Sequence, residues 1–200
     1  MNQSLVIIST GVANTASVKA AFERLKCNVI LSDSPSAAEQ AYYAVLPGVG
    51  TFGACMEQLL ETKLDSVLRS RIENQRPLLA ICVGMQVLFE SSTESPGVSG
   101  LGVFPGSITK FPSSEKVPQL GWNKVQPELG CEYLQPGFAY FANSFRQELI
   151  PEQCCGAYAN YGGSFAAAIE KDSLLACQFH PELSSTYGQT LLNRWMEKNR

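Results

Sequence analysis

Short, unbroken apolar runs alternate with amphipathic stretches through the first half of the chain. "LVIIS" (5–9) is apolar and β-branched without polar alternation, the pattern of a strand covered on both faces. Thr15 to Leu25 then sets Val18, Phe22 and Leu25 at i, i+4 and i+7, one face of a helix. "NVILS" (28–32) and "YAVLP" (43–47) read as further strands, the latter ended by proline and the glycines of "GVG". Met56 to Glu73 is charged and free of glycine and proline, so one long helix is expected there. "PLLAI" (77–81) is a fourth strand and runs straight into Cys82. Strands alternating with helices in this way imply an α/β fold: a doubly wound, mostly parallel sheet flanked by helices on both faces.

The pattern changes between about Glu94 and Gly163. Proline and glycine recur between short runs such as "GVFPGSITKF" and "FAYFANSF", which predicts antiparallel additions and loops in the second half. "FAAAIEKDSLLACQF" (165–179) reads as two strands joined by a Lys-Asp-Ser turn. Ser185 to Glu197 sets Tyr187, Leu191 and Trp195 at i, i+4 and i+8, a closing helix.

Composition narrows the partners. The 200 residues are 45% hydrophobic with no compositional break, as for a single domain with one core. A net charge of -3 offers no general attraction to nucleic acid or anionic membrane. No segment approaches the roughly 20 apolar residues that span a bilayer, and the N-terminus has no basic region ahead of its apolar run. A cytoplasmic protein is expected. Seven cysteines (27, 55, 82, 131, 154, 155 and 177) show neither paired zinc spacing nor a disulfide framework, so all are expected as reduced thiols. The adjacent Cys154 and Cys155 read as a surface thiol beside a buried one.

One cysteine stands apart. A strand that passes through a tight turn into a helix lifts the turn residue above the sheet, and "LAICVGMQ" (79–86) has Cys82 at the turn with Gly84 giving room. At a helix N-terminus the macrodipole favours thiolate. Taken alone, Cys82 reads equally well as a buried core thiol. A nucleophilic cysteine needs a base, and His180 is the chain's only histidine. It follows an apolar strand in "CQFHPELSS", with Glu182 two residues on and placed to orient the imidazole. Cys82, His180 and Glu182 are thus candidates for a nucleophile, base and orienting carboxylate relay. The glycine-rich turn in "LPGVGTF" (46–52) adds backbone N–H groups that could join the Val83 amide as an oxyanion hole. All three elements fall at the C-terminal edge of the expected parallel sheet, where such sheets bind ligands.

With these residues in place, the chain resembles the class I (triad) glutamine amidotransferases, most closely the glutaminase subunits of imidazole glycerol phosphate synthases. The resemblance rests on "TGVANTASVKAAFERL", "LPGVGTFGACMEQL", "PLLAICVGMQVLFE", "VPQLGWN", "YFANSF" and "QFHPELSS", in that order along nearly the whole chain. It implies that residues 1–200 form a single glutaminase domain. Cys82 would attack the side-chain amide of L-glutamine, with the oxyanion held by the Val83 amide and one from Val49-Gly50. His180 would release ammonia, and water would hydrolyse the thioester. Gly50, Gln86, Ser144 and Phe145 would help bind glutamine, with no cofactor and no metal. The ammonia would pass to a (β/α)₈ synthase subunit in a heterodimer, yielding imidazole glycerol phosphate and aminoimidazole carboxamide ribotide in histidine biosynthesis.

Several positions depart from that family's usual residues. Ala80 stands for glycine before the elbow, Gln119-Leu120 for His-Met, Ala142-Asn143 for Val-His, Phe145 for tyrosine and Leu183 for a basic residue. They motivate a second reading, a paralogous glutaminase feeding another synthase, for example in surface-sugar biosynthesis. A catalytically silent subunit that only stabilises a partner is the third, and the intact Cys82, His180 and Glu182 argue against it.

Overall fold

The computed structural model describes residues 4–9, 15–48 and 50–200. The apolar runs of the first half form β1 (Ser4–Ile8), β2 (Asn28–Ser32), β3 (Tyr43–Gly48) and β4 (Leu78–Cys82). Between them lie α1 (Thr15–Arg24), α2 (Pro35–Gln40), α3 (Phe52–Glu61) and α4 (Leu64–Glu73). One helical turn, α5 (Val83–Gln86), follows β4. Next come β5 (Phe89–Ser92), β6 (Phe104–Lys110), β7 (Gln119–Pro127), β8 (Gly137–Asn143), β9 (Phe145–Arg146) and β10 (Cys155–Asn160). β11 (Ser164–Lys171) and β12 (Leu174–Cys177) form a hairpin, followed by a 3₁₀ turn at Pro181–Leu183 and the closing helix α6 (Ser185–Lys198).

Among the described residues, a nine-stranded sheet runs in the order β2-β1-β3-β4-β12-β11-β10-β7-β8. β2, β1, β3, β4 and β12 are parallel. The remaining strands add antiparallel, as expected for the second half. The order reverses after β2, so right-handed crossovers carry α1 to one face of the sheet and α2, α3 and α4 to the other. The central strands are covered on both faces. β3, β4 and β12 are buried along their whole lengths, and β1 from Leu5 onward. α6 closes the α1 side through Trp195, whose ring meets Phe22 and Tyr43 and whose Nε1 donates to the Ser173 carbonyl at 3.1 Å.

Three expectations need correction. The single helix expected from Met56 to Glu73 is two, because Lys63 takes a left-handed conformation (φ 60°). Thr62 caps α3 with its hydroxyl on the Gln58 carbonyl (2.7 Å), and the reversal lets Leu64, Leu68 and Arg71 turn inward. Second, the cysteines are not all reduced: Cys131 and Cys155 form a disulfide, their Cα atoms 5.5 Å apart. Cys154 and Cys155 are both half-buried rather than one of each kind. Third, the additions are not all antiparallel: β5, β6 and β9 form a small separate sheet in which β5 and β6 pair parallel.

Candidate active site

β4 delivers Cys82 to the C-terminal edge of the parallel sheet in a strained conformation, φ 54° and ψ −112°. A non-glycine residue held at positive φ costs about 1–3 kcal/mol and persists where its surroundings over-determine it. Here the surroundings are two glycines. Gly48 pairs with Cys82 in the β3–β4 register. A Cβ on Gly84 would fall on the Leu46 backbone oxygen, and one on Gly48 would fall on the Gly84 nitrogen. The end of β3 and the elbow therefore approach as closely as backbone allows, bringing Gly48 beside the cysteine. The expected helix after the elbow is only α5, four residues long. Its dipole is correspondingly small, so side chains rather than a long helix must set the electrostatics around the sulfur.

His180 reaches the same edge from β12, the strand parallel to β4. Its backbone is pinned from two sides: the N–H donates to the Tyr140 carbonyl of β8 at 2.9 Å, and the carbonyl accepts from Ser184 Oγ at 2.6 Å. Its Nδ1 lies 2.8 Å from Glu182 Oε1, and both side chains are buried. Pro181 opens the 3₁₀ turn that swings Glu182 back beneath the ring. Gly188 of α6 packs so closely on the Pro181 carbonyl that a Cβ there would overlap it, fixing the turn against the helix. Burial lowers the His180 pKa, but interaction with the Cys82 sulfur and the Glu182 carboxylate outweighs it and lifts the value to about 10. His180 is therefore held protonated at neutral pH, the form that can pair with a thiolate and donate to a leaving group.

These side chains share a cavity of about 340 Å³, within the ~300–1,000 Å³ usual for small-molecule sites. Cys82, Val83, Gln86, Gly50, Ser144, Phe145, His180 and Glu182 all line it, so the cavity gathers every candidate named from the sequence except Val49, which lies outside the described residues. Gly50 is at φ 99°, a conformation that glycine permits. Gln86 Nε2 donates to the Phe145 carbonyl (3.2 Å), which also accepts from Asn143 Nδ2 (3.0 Å). Leu183 sits at the rim, 40% exposed.

Two residues passed over in the sequence also belong here. Glu94 puts a carboxylate in the cavity wall, held by the Phe52 N–H at 2.7 Å. Gln178, buried behind the cysteine, contacts both Cys82 and Gln86. Its only sequence signal is adjacency to "FHPE", two residues before the histidine.

Comparison with known proteins gives a consistent result. The family model described as glutamine amidotransferase class-I matches residues 6–198. The chain is 38% identical over 202 residues to the imidazole glycerol phosphate synthase subunit HisH of Acinetobacter baylyi, covering 98% of each. It is 39% identical over 192 residues to the protein of the same name from Thermus thermophilus, covering 96% of this chain and 95% of that one. In fold it is similar to the crystal structure of a glutamine amidotransferase (TM-score 0.78, 18% identity, 98% of each chain). It is also similar to the glutaminase domain of Trypanosoma brucei CTPS with bound acivicin (TM-score 0.68, 17% identity, 100% of this chain and 94% of that one).

Proposed function

The chain belongs to the class-I glutamine amidotransferase family, and from that premise we propose that it is the glutaminase subunit of an imidazole glycerol phosphate synthase, acting as one domain over residues 1–200 in cytoplasmic histidine biosynthesis. Its near full-length similarity to HisH proteins supports the pathway. The observation that carries the chemistry is the strained Cys82 elbow facing a His180 that is itself held by Glu182.

In this reading the Cys82 thiolate attacks the side-chain carbonyl carbon of L-glutamine. The oxyanion takes the Val83 N–H and a second donor from the Val49-Gly50 turn. Protonated His180 gives its proton to the departing nitrogen, the C–N bond breaks, and ammonia leaves. His180, now neutral, accepts a proton from water as it attacks the γ-glutamyl thioester, and glutamate is released with Cys82 regenerated. Glu94 suits the α-ammonium of the substrate by charge. The Ser144-Phe145 segment, which also lines the cavity, is assigned to its carboxylate end.

A docked synthase subunit, a (β/α)₈ barrel, would receive the ammonia. Support comes from the apolar outer face of β7 and β8, where Leu120, Trp122 and Phe138 are all more than half exposed beside the strand ends that line the cavity. The test is glutamine hydrolysis with and without the synthase subunit and its acceptor. Hydrolysis should be weak alone and rise in the complex; equal rates would overturn the coupling. Cys82→Ala should abolish glutamine-dependent synthesis and leave ammonium-dependent synthesis in the complex intact.

A further inference from the structure

We propose that Gln178 is a positioning residue for Cys82, holding an amide N–H against the nucleophilic sulfur and fixing which end of Gln86 faces the substrate; the substrate half rests on the glutaminase reading above.

The assignment follows from hydrogen-bond polarity. Amide oxygen and nitrogen are told apart only by their partners. The Phe145 carbonyl can only accept, so the Gln86 atom 3.2 Å from it is the amide nitrogen. That nitrogen carries a second hydrogen, which points at the Gln178 amide 2.9 Å away. The facing Gln178 atom must therefore be oxygen. Its NH₂ is left directed at Cys82 Sγ, 3.7 Å away, an ordinary distance for a donor to sulfur. Reversing Gln178 would set two NH₂ groups against each other and a carbonyl against the sulfur. A backbone carbonyl on one side of the cavity thus dictates, through two amides, that the nucleophile meets a donor.

Gln178 has no freedom to relax from this arrangement. It is 1% exposed, and its backbone N–H is tied to the Ala167 carbonyl of β11 at 2.8 Å. Gln178 and His180 both follow the end of β12, and the side chain of each reaches the same sulfur. An N–H directed at the sulfur offers a hydrogen bond to the negative charge of its attacking form, beside an elbow whose helix is only four residues long.

The second consequence lies in the cavity. With both Gln86 amide hydrogens committed, Gln86 offers only its oxygen to a ligand. It is therefore matched to an N–H-bearing group of glutamine, the α-ammonium or the carboxamide nitrogen, and mismatched to the carboxylate.

Two near-isosteric variants separate this role from mere packing. Gln178→Met removes both hydrogen bonds. Gln178→Glu keeps an acceptor for Gln86 but replaces the donor at the sulfur with a carboxylate oxygen. Iodoacetamide alkylation of Cys82 in the purified chain, followed by peptide mass spectrometry and repeated from pH 6 to 10, reads nucleophilicity without needing glutamine. At pH 7 the Met variant should react about tenfold more slowly than wild type, since a hydrogen bond to a charged group is worth about one such factor, and the gap should close toward high pH. The Glu variant should be slower still. A Glu variant reacting at the wild-type rate would mean that Gln178 only anchors Gln86, and an unchanged Met variant would remove the role altogether. The wild-type complex assayed in parallel keeps the two ideas apart. Failure to hydrolyse glutamine sinks the glutaminase reading while leaving the alkylation order standing, and hydrolysis with no alkylation difference sinks only this one.

Discussion

Arg71 is 1% exposed, carries a positive charge, and has no carboxylate partner among the described residues. Its Nη1 donates to the Ala38 and Ala41 carbonyls at 2.8 and 2.9 Å, and its Nη2 to those of Tyr42 and Pro77, both at 2.8 Å. Burial, and then the neighbouring Arg76, lower its pKa from 12.5 to about 10, so it remains charged at pH 7. Four carbonyl dipoles do the work that an anion usually does. They come from α2, the turn into β3 and the entry to β4, so the guanidinium ties together the bases of the two strands whose tips carry Gly48 and Cys82.

Replacing Arg71 with Met keeps the apolar stem and deletes the head. Two acceptors retain other donors: Ala41 keeps Arg76 Nη2 at 2.8 Å, and Pro77 keeps the Ala44 N–H at 3.1 Å. The loss therefore falls on the Ala38 and Tyr42 carbonyls. At about 1–3 kcal/mol for each buried polar group that loses its partner, the gross loss is about 2–6 kcal/mol. Against it stands relief from burying a cation, a penalty of several kcal/mol in real proteins. The dipoles already offset much of that penalty, so the net cost should be about 2–3 kcal/mol. For a chain of this size each kcal/mol moves Tm by ~2–4 °C, giving a fall of about 5–10 °C. Urea and thermal unfolding of wild type, Arg71→Met and Arg71→Lys would measure it, with Lys intermediate because an ammonium has three donors for four carbonyls. A Met variant as stable as wild type, or more so, would refute the reasoning and mark the buried guanidinium as a net burden.

Other expectations bear on the site and the cysteines. Gly84→Ala should lower glutaminase kcat steeply, because its Cβ meets the Leu46 carbonyl and must push the elbow away from β3; a near-normal kcat would mean the close approach is dispensable. Glu182→Gln should cut kcat at least about a hundredfold by unsettling the imidazolium, with protein that remains folded by circular dichroism. His180 is protonated up to pH about 10 when folded but only to 6.5 in the reference state. Folding takes up a proton between these values, so the stability this residue contributes is full below about pH 6.5 and is lost as pH rises toward 10. Urea midpoints across that window should fall for wild type more than for His180→Gln, and parallel curves would contradict the assignment. Denatured without reductant, the chain should react with a thiol reagent at Cys27, Cys55, Cys82, Cys154 and Cys177 but not at Cys131 or Cys155; seven reactive thiols would exclude the disulfide.

How far these features could be read from residues alone depended on whether their signal was local. The parallel strands were legible because each is a continuous apolar run, which burial on both faces demands of β1, β3, β4 and β12, while the edge strand β2 keeps the pattern although Ile30 and Leu31 are 45% exposed. The break between α3 and α4 was not, since Thr62 and Lys63 are ordinary helix residues and the left-handed turn at Lys63 becomes favourable only once Leu64, Leu68 and Arg71 have a core to enter. The Cys131–Cys155 link spans 24 residues with no spacing signal, and only the placement of the 128–136 loop against β10 brings its ends together.

The grouping of Cys82, His180 and Glu182 in one cavity was legible for a different reason: with one histidine in the chain, there was one candidate base to choose. What surrounds it was not, because an amide or a carboxylate looks the same in sequence whether it faces solvent or a nucleophile. Gln178 and Cys82 are 96 positions apart, and only the pairing of β12 with β4 brings them together. The same holds for the two departures Gln119 and Asn143. They stand far apart in sequence, yet they are paired in the β7–β8 register, each buried with an amide oxygen that has no hydrogen-bond partner among the described residues. Residues exchanged as an opposed pair beside a catalytic pocket must be substituted together to be tested, because changing one leaves the other facing a partner it was not matched to.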